Sequence, residues 1–296
     1  MENRKKLLLQ WLGAVLGIGL LCGGASYFAG WKTAPAMKEA ARTEGTPLPI
    51  VMYHNVLPDG EKGELGEYVI AASELEGDLS YLRDCGYETV TASEVFDAVR
   101  GVGTLPEKPV MLTFDDGFET MEQTVLPLLS KYGAKAVAAL VGEYTDLYSG
   151  DVPKALSYSH LSWDQAGILA DSGLCEIANH SYSMHGLDAR QGMRRMPGES
   201  EGDYRRALAD DLLLMQEKCR DHLGKEPRAL CYPYGFYTEE SEEAARELGF
   251  SLTMTCEQGV NFLTKDKGCL YGLRRNNRPH GADREEFFKN LGIAPE

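Results

Sequence analysis

Asp115 and Asp116 stand side by side at the end of the apolar run Val110-Met111-Leu112-Thr113-Phe114, and Gly117 follows them. Carboxylates that cleave a glycosidic bond sit ~5–10 Å apart on opposite sides of it, so adjacent aspartates suit that chemistry poorly. They suit a metal site better, where one carboxylate binds the ion and the other handles a proton. An isolated Asp-Asp-Gly can equally start a helix, because Asp caps helices and favours the N-terminal end of the dipole. The histidines shift the balance. His180 and His185 fall in Asn179-His180-Ser181-Tyr182-Ser183-Met184-His185-Gly186, at a spacing of five. That spacing sets them ~140° apart on a helix and on opposite faces of a strand. Both reach one ion only if a turn lies between them, and Ser181, Ser183 and Gly186 make a turn plausible. Two imidazoles and a carboxylate with an open position form a catalytic zinc arrangement, because these donors suit borderline divalent ions.

Such side chains need a scaffold that ends several strands on one side. The run before Asp115 reads as a buried strand of an α/β fold, in which chemistry gathers past the carboxyl ends of strands. The pattern predicts strands over 48–53, 87–90, 110–114, 135–141, 174–178, 228–232, 251–255 and 269–273. The first ends at His54-Asn55, the fifth delivers His180, and the sixth ends at Pro233-Tyr234-Gly235. Helices are predicted from Ser73 to Cys85, from Ser93 to Arg100, over 119–132, from Ser162 to Asp171, and over 203–223, 238–248 and 283–291. A long loop covers 184–202. The alternation implies a mostly parallel sheet or a closed barrel, and about seven strand–helix units favour an irregular (β/α) barrel.

The chain has 296 residues, 43% hydrophobic, enough for a sizeable core. Its net charge of −15 excludes a general nucleic-acid binder, which needs a basic face. Seven scattered cysteines include no Cys-x-x-Cys pair, so neither a cysteine-based zinc site nor a disulfide framework is indicated. Nothing in the pattern points to a protein partner.

Arg4, Lys5 and Lys6 precede an uncharged apolar stretch from Leu7 to Trp31. It is long enough to cross a bilayer, which takes ~20 residues, and the basic flank places residues 1–6 in the cytoplasm. The expectation is one N-terminal transmembrane helix over 7–31, a small polar tether over 32–47 and a catalytic domain over 48–296 outside the cytoplasm. A cleaved signal peptide is the alternative, with Ala34-Pro35-Ala36 as its cleavage site.

Thr113-Phe114-Asp115-Asp116-Gly117, His180-Ser181 with His185, and Tyr232-Pro233-Tyr234-Gly235 resemble the successive motifs of the NodB-like polysaccharide deacetylases, carbohydrate esterase family 4. The resemblance covers roughly residues 48–292. Most of that family carries its second histidine four residues after the first, where this chain has Met184. The spacing of five, with Tyr53-His54-Asn55, is similar to the deacetylases of poly-β-1,6-N-acetylglucosamine. The resemblance implies that Asp116, His180 and His185 bind a divalent metal, usually zinc. It implies that Asp115 is the general base and that the Tyr234 N–H helps hold the oxyanion. The family's usual Leu-x-His is absent; the matching stretch reads Leu273-Arg274-Arg275-Asn276. The subgroup resemblance makes His54 the candidate proton donor, with His280 the alternative. The family often has Arg-Pro-Pro-Tyr where this chain has Cys231-Tyr232-Pro233-Tyr234, so Arg275, or else Arg228, must supply the charge that steadies Asp115. Tyr182, Phe236, Tyr237 and Trp163 are candidate sugar-stacking walls, and His160 and His222 read as surface residues. The function implied is removal of acetyl groups from an N-acetylated glycan. An O-acetyl esterase and a catalytically silent glycan-binding protein are the alternatives.

Overall fold

A computed structural model of the chain describes residues 45–295. Among these residues no helix is long and apolar enough to cross a membrane. The expected tail, membrane helix and most of the tether lie outside them.

The described chain opens with β1 (Thr46–Leu48), β2 (Ile50–Tyr53), β3 (Asn55–Leu57) and β4 (Val69–Ala71), then α1 (Ala72–Asp84), β5 (Glu88–Thr89) and α2 (Ala92–Val99). Next come β6 (Pro109–Phe114), a π-helical turn (Met121–Val125), α3 (Leu126–Tyr132), β7 (Ala136–Leu140), α4 (Gly142–Tyr148), α5 (Trp163–Asp171) and β8 (Cys175–Asn179). The chain continues through α6 (Glu201–Leu223), β9 (Ala229–Cys231), α7 (Glu239–Glu247), β10 (Leu252–Met254), β11 (Asn261–Leu263), β12 (Asn276–Asn277) and α8 (Arg284–Asn290).

The central sheet is parallel and runs β10-β9-β8-β7-β6-β2-β12, with β5 also pairing to β6. It curls into a half-barrel. A lone parallel bridge between Met254 and Leu273 brings its two ends together. There the Thr255 N–H donates to the Leu273 carbonyl at 2.8 Å, and the Leu273 N–H to the Thr253 carbonyl at 2.9 Å.

Strands buried on both faces read as unbroken apolar runs, and β6 and β7 do so. Their alternation sorts the core. Ile50, Met111, Val137, Ala139 and Ala178 join one cluster inside the curl. Val51, Val110, Leu112, Phe114, Ala136 and Ala138 join another with helix residues Leu75, Leu79, Leu129, Ala166 and Leu169.

Several predicted boundaries shift for local reasons. The first strand breaks at Pro49 into β1 and β2, and β1 pairs antiparallel with the unpredicted β11. Helix α1 starts after Ala71, not at Ser73: Glu74 accepts from the Ala71 N–H (2.9 Å) while the Ser73 hydroxyl donates to Asp59 (2.8 Å). Helix α2 is capped by Thr91 rather than Ser93, which donates to Glu176 instead. The predicted helix 119–132 divides into the π turn and α3. Pro127 has no N–H to continue an α-type ladder, which favours the wider turn. The predicted strand 269–273 is a 3₁₀ turn (Lys267–Leu270) with only Leu273 bridging the sheet. Asp266 caps that turn by accepting from the Gly268 N–H at 2.9 Å.

One buried polar cluster ties the C-terminal segment to β2. Asp78 of α1 accepts from the Tyr53 hydroxyl (3.1 Å), Arg278 Nε (3.0 Å) and Arg284 Nε (2.8 Å). Arg278 is 2% exposed, so Asp78→Ala should leave its charge buried and unpaired. Breaking such a pair costs about 3–5 kcal/mol. Denaturant unfolding should show a loss of that order, and a loss below about 1 kcal/mol would contradict the assigned role.

Candidate active site

Three loops at the carboxyl ends of β6, β8 and β9 carry most of the candidate residues. Each contains a non-glycine residue in the left-handed region: Asp116 (φ 68°), Ser181 (φ 73°) and Tyr234 (φ 57°). They are the only such residues among those described. A left-handed residue with a side chain costs about 1–3 kcal/mol and persists only where its surroundings hold it.

The histidine loop shows how it is held. The Ser181 N–H donates to Asn179 Oδ1 at 2.8 Å. Asp211 of α6 accepts from the Tyr182 and Ser183 N–H groups, both at 2.8 Å, and from the Ser183 hydroxyl at 2.9 Å. The first N–H groups of α4 take the opposite side: Gly142 donates to the Ser181 carbonyl (3.0 Å) and Glu143 to the Tyr182 carbonyl (2.9 Å). The Tyr144 hydroxyl donates to the His185 carbonyl at 3.3 Å. The turn between the two histidines is therefore built by α4 and α6, and it brings His185 back to His180, with ring centroids 5.0 Å apart.

His185 Nε2 lies 2.9 Å from Asp116 Oδ1, and His180 Nε2 lies 3.5 Å from the same oxygen. The donor atoms of Asp116, His180 and His185 all fall within 4.8 Å of one another. His180 Nδ1 donates to the Cys231 carbonyl at 2.8 Å. A carbonyl only accepts, so Nδ1 carries the hydrogen and Nε2 keeps its lone pair. His185 Nδ1 faces the Tyr234 hydroxyl at 3.4 Å. Each imidazole thus has a partner for one nitrogen and turns the other toward Asp116, the arrangement expected of metal-ligating histidines. The residues fit a divalent ion. Burial alone would raise the Asp116 carboxyl, but the charge of His185 and its hydrogen bond hold it well below the usual range.

Asp115 faces a different partner. Its two oxygens accept from Arg275 Nη1 (2.6 Å) and Nη2 (2.8 Å). Arg275 is fully buried and also donates from Nε to the Thr255 carbonyl at 2.9 Å. Burial works to raise the Asp115 carboxyl, and the charge of Arg275 outweighs it, keeping the carboxylate ionised.

His54 follows β2 and is half-buried, with Tyr68 edge-on to its ring at 4.7 Å. Burial lowers its pKa, and the nearby Asp116 and Asp115 pull it back up in part. His280 is elsewhere: it pairs with Glu74 at 2.7 Å on an exposed turn. Tyr234 packs on His185 at 4.7 Å, and Phe236 lies under the Arg194 guanidinium at 3.7 Å. Tyr237 stacks on Tyr232, and the Tyr182 hydroxyl donates to Asp146 at 2.9 Å. Trp163 does not line a sugar wall; it is 4% exposed, donates to Asp146 and stacks against His222. His160 is not a simple surface residue either, because its Nδ1 meets the Asp116 carbonyl at 2.8 Å. Asp211 carried a legible signal: with Leu208, Leu212 and Met215 it falls on the buried stripe of α6, where a carboxylate needs partners. Tyr144 and His160 lie in stretches with no periodic pattern to mark them.

A family model for polysaccharide deacetylases matches residues 102–253, just over half of the chain, spanning β6 to β10. The chain belongs to the polysaccharide deacetylase family. Among its relatives in that family, the poly-β-1,6-N-acetyl-D-glucosamine N-deacetylase of Escherichia coli K12 is 29% identical over 230 residues. That alignment takes in 71% of this chain and 34% of the relative, so the chain spans about a third of that protein's length. A solved structure of a de-N-acetylase from Aggregatibacter actinomycetemcomitans superposes with a TM-score of 0.70 at 28% identity, covering 83% of this chain and 99% of that one. IcaB from Ammonifex degensii is 31% identical, with a TM-score of 0.63 over 80% of this chain and 94% of its own.

Asp116 also sets a pH dependence for the deacetylase fold's donor cluster. Burial would lower the His185 pKa, but the Asp116 carboxylate outweighs it and raises the value. A divalent ion must displace that proton. Affinity should fall on acidification, starting above the ordinary histidine value of ~6.5. Chelator competition across pH measures this, and an affinity flat down to about pH 5 would contradict it.

Proposed function

We propose that this chain is a metal-dependent N-deacetylase that removes acetyl groups from N-acetylhexosamine units of a cell-surface polysaccharide or peptidoglycan. The observation that carries the reading is the convergence of two imidazole nitrogens, His180 Nε2 and His185 Nε2, on Asp116 Oδ1, beside a second aspartate clamped by a buried arginine.

An amide is a poor electrophile and an amine a poor leaving group, so a Lewis acid, a base and a proton donor are all needed. When bound, a divalent ion, zinc on this donor set, supplies the Lewis acid and lowers the pKa of a water. Asp115 takes the proton of the attacking water. Arg275 holds the carboxylate in one orientation and keeps it charged. The Tyr234 N–H, presented by a left-handed turn, takes part of the oxyanion's charge. His54 hands a proton to the departing amine. In this reading residues 7–31 anchor the chain in the membrane and hold the catalytic domain, 48–296, outside the cytoplasm.

The test is acetate release by the full chain from peptidoglycan, poly-β-1,6-N-acetylglucosamine, chitin oligomers and acetylated xylan, with and without a chelator. Chelator-sensitive release from an N-acetylated glycan is expected. Release from xylan alone would make the protein an esterase, and none at all with the ion bound would sink the enzymatic reading. On the active glycan, His54→Ala should lower kcat by about 10²–10⁴-fold with a smaller change in KM, because a proton donor acts in the transition state. An effect on KM alone would remove His54 from that role.

A further inference from the structure

Asp116 and Gly117 are both left-handed, with φ values of 68° and 69°. Glycine accepts either sign of φ, so Gly117 does not itself fix the peptide that joins it to Asp116. The anchor comes from a distant segment, Ser159-His160-Leu161. Its backbone straps the loop from outside: the Leu161 N–H donates to the Gly117 carbonyl and the Glu119 N–H to the Ser159 carbonyl, both at 2.8 Å. Phe118 and His160 form an isolated antiparallel bridge. The Asp116 carbonyl itself is reached by a side chain, His160 Nδ1, at 2.8 Å. Because a carbonyl can only accept, that nitrogen must carry the hydrogen.

The His160 ring cannot turn freely. It stacks on Phe118 at 4.7 Å, and Tyr144 and Tyr148 close on it at 4.6 and 5.4 Å. Tyr144 also touches the other ligand loop, through its ring 5.8 Å from His185 and its hydroxyl on the His185 carbonyl. One aromatic box therefore braces both Asp116 and His185 from behind.

We propose that His160 is a positioning residue of the metal centre. Its Nδ1–H bond to the Asp116 carbonyl holds the left-handed backbone that aims the Asp116 carboxylate at the Nε2 atoms of His180 and His185. Without that donor the Asp116–Gly117 peptide can rotate and carry the carboxylate out of line. This role rests on the metal reading of Asp116, His180 and His185.

The test titrates full-length wild type, His160→Leu and His160→Asn with zinc against a chromogenic chelator, and records thermal unfolding of each in excess chelator. Leu and Asn are close in size, but only Asn offers an N–H near the position of Nδ1. Loss of an outer-shell partner typically weakens metal affinity by 10–100-fold. His160→Leu should show a loss in that range, and His160→Asn should recover most of it, with similar unfolding temperatures for the two chelated variants. Wild-type affinity in His160→Leu would overturn the role, and so would an equal loss in both variants. If His160→Leu does not fold, His160→Asp replaces it, because Asp has the shape of Asn without the donor. Failure of the wild type itself to bind zinc would overturn the metal reading first, which separates the two failures.

Discussion

The buried ion pair between Arg275 and Asp115 is the interaction on which the rest of the site depends. Neither side chain exposes more than 2% of its surface. Taking two charges out of water costs several kcal/mol each, and attraction offsets that only when the geometry is good and the remaining donors are satisfied. Here the fork is bidentate, Nε is taken by the Thr255 carbonyl, and Nη1 also reaches the Thr113 hydroxyl at 3.3 Å. Arg275 lies between Leu273, which bridges β10, and Asn276, which pairs with β2. The residue that keeps Asp115 ionised therefore sits in the segment that brings the ends of the curled sheet together. Closing the fold and charging the carboxylate are one structural event.

The neighbouring aspartate works by the opposite device. Asp116 is turned out of the strand by a left-handed backbone, so consecutive carboxylates face different partners: Asp115 an arginine, Asp116 two imidazoles. The same backbone device recurs at Ser181, where the chain leaves β8 and turns His185 back, and at Tyr234, where it leaves β9. Strain at the first two of these strand ends, Asp116 and Ser181, is balanced by hydrogen bonds from elements outside the sheet, chiefly α4, α6 and the strap around His160.

Much of this was legible in the sequence because it is local. An apolar run ending in Asp-Asp-Gly marks a strand end, and the spacing of five between His180 and His185 demands a turn whatever the fold. The alternation of strand and helix patterns implies a mostly parallel sheet or an irregular barrel, and the sheet is parallel but curls only into a half-barrel. Arg275 was legible as a charge near a strand end, though its bidentate grip on Asp115 depends on how the sheet closes. What was not legible is held by tertiary contacts. Strands β3, β4 and β11 are three residues each, too short for a period to show. The stretch 269–273 has the apolar content of a strand, but its first residues follow the Asp266 cap into a 3₁₀ turn. Asp211 is marked by its place on the buried stripe of α6, but its partners are loop N–H groups 28 and 29 residues away along the chain, and that of His160 is a carbonyl 44 residues away, distances that no local pattern encodes.

The central claim is that Asp116, His180 and His185 together hold one divalent ion. X-ray absorption at the zinc edge of the zinc-loaded full chain tests it most directly. The expected spectrum shows two imidazole nitrogens at ~2.0–2.1 Å and carboxylate oxygen at ~2.0–2.2 Å, with no sulfur shell. A sulfur shell at ~2.3 Å, or a shell lacking imidazole scattering, would contradict the assignment and place the ion elsewhere.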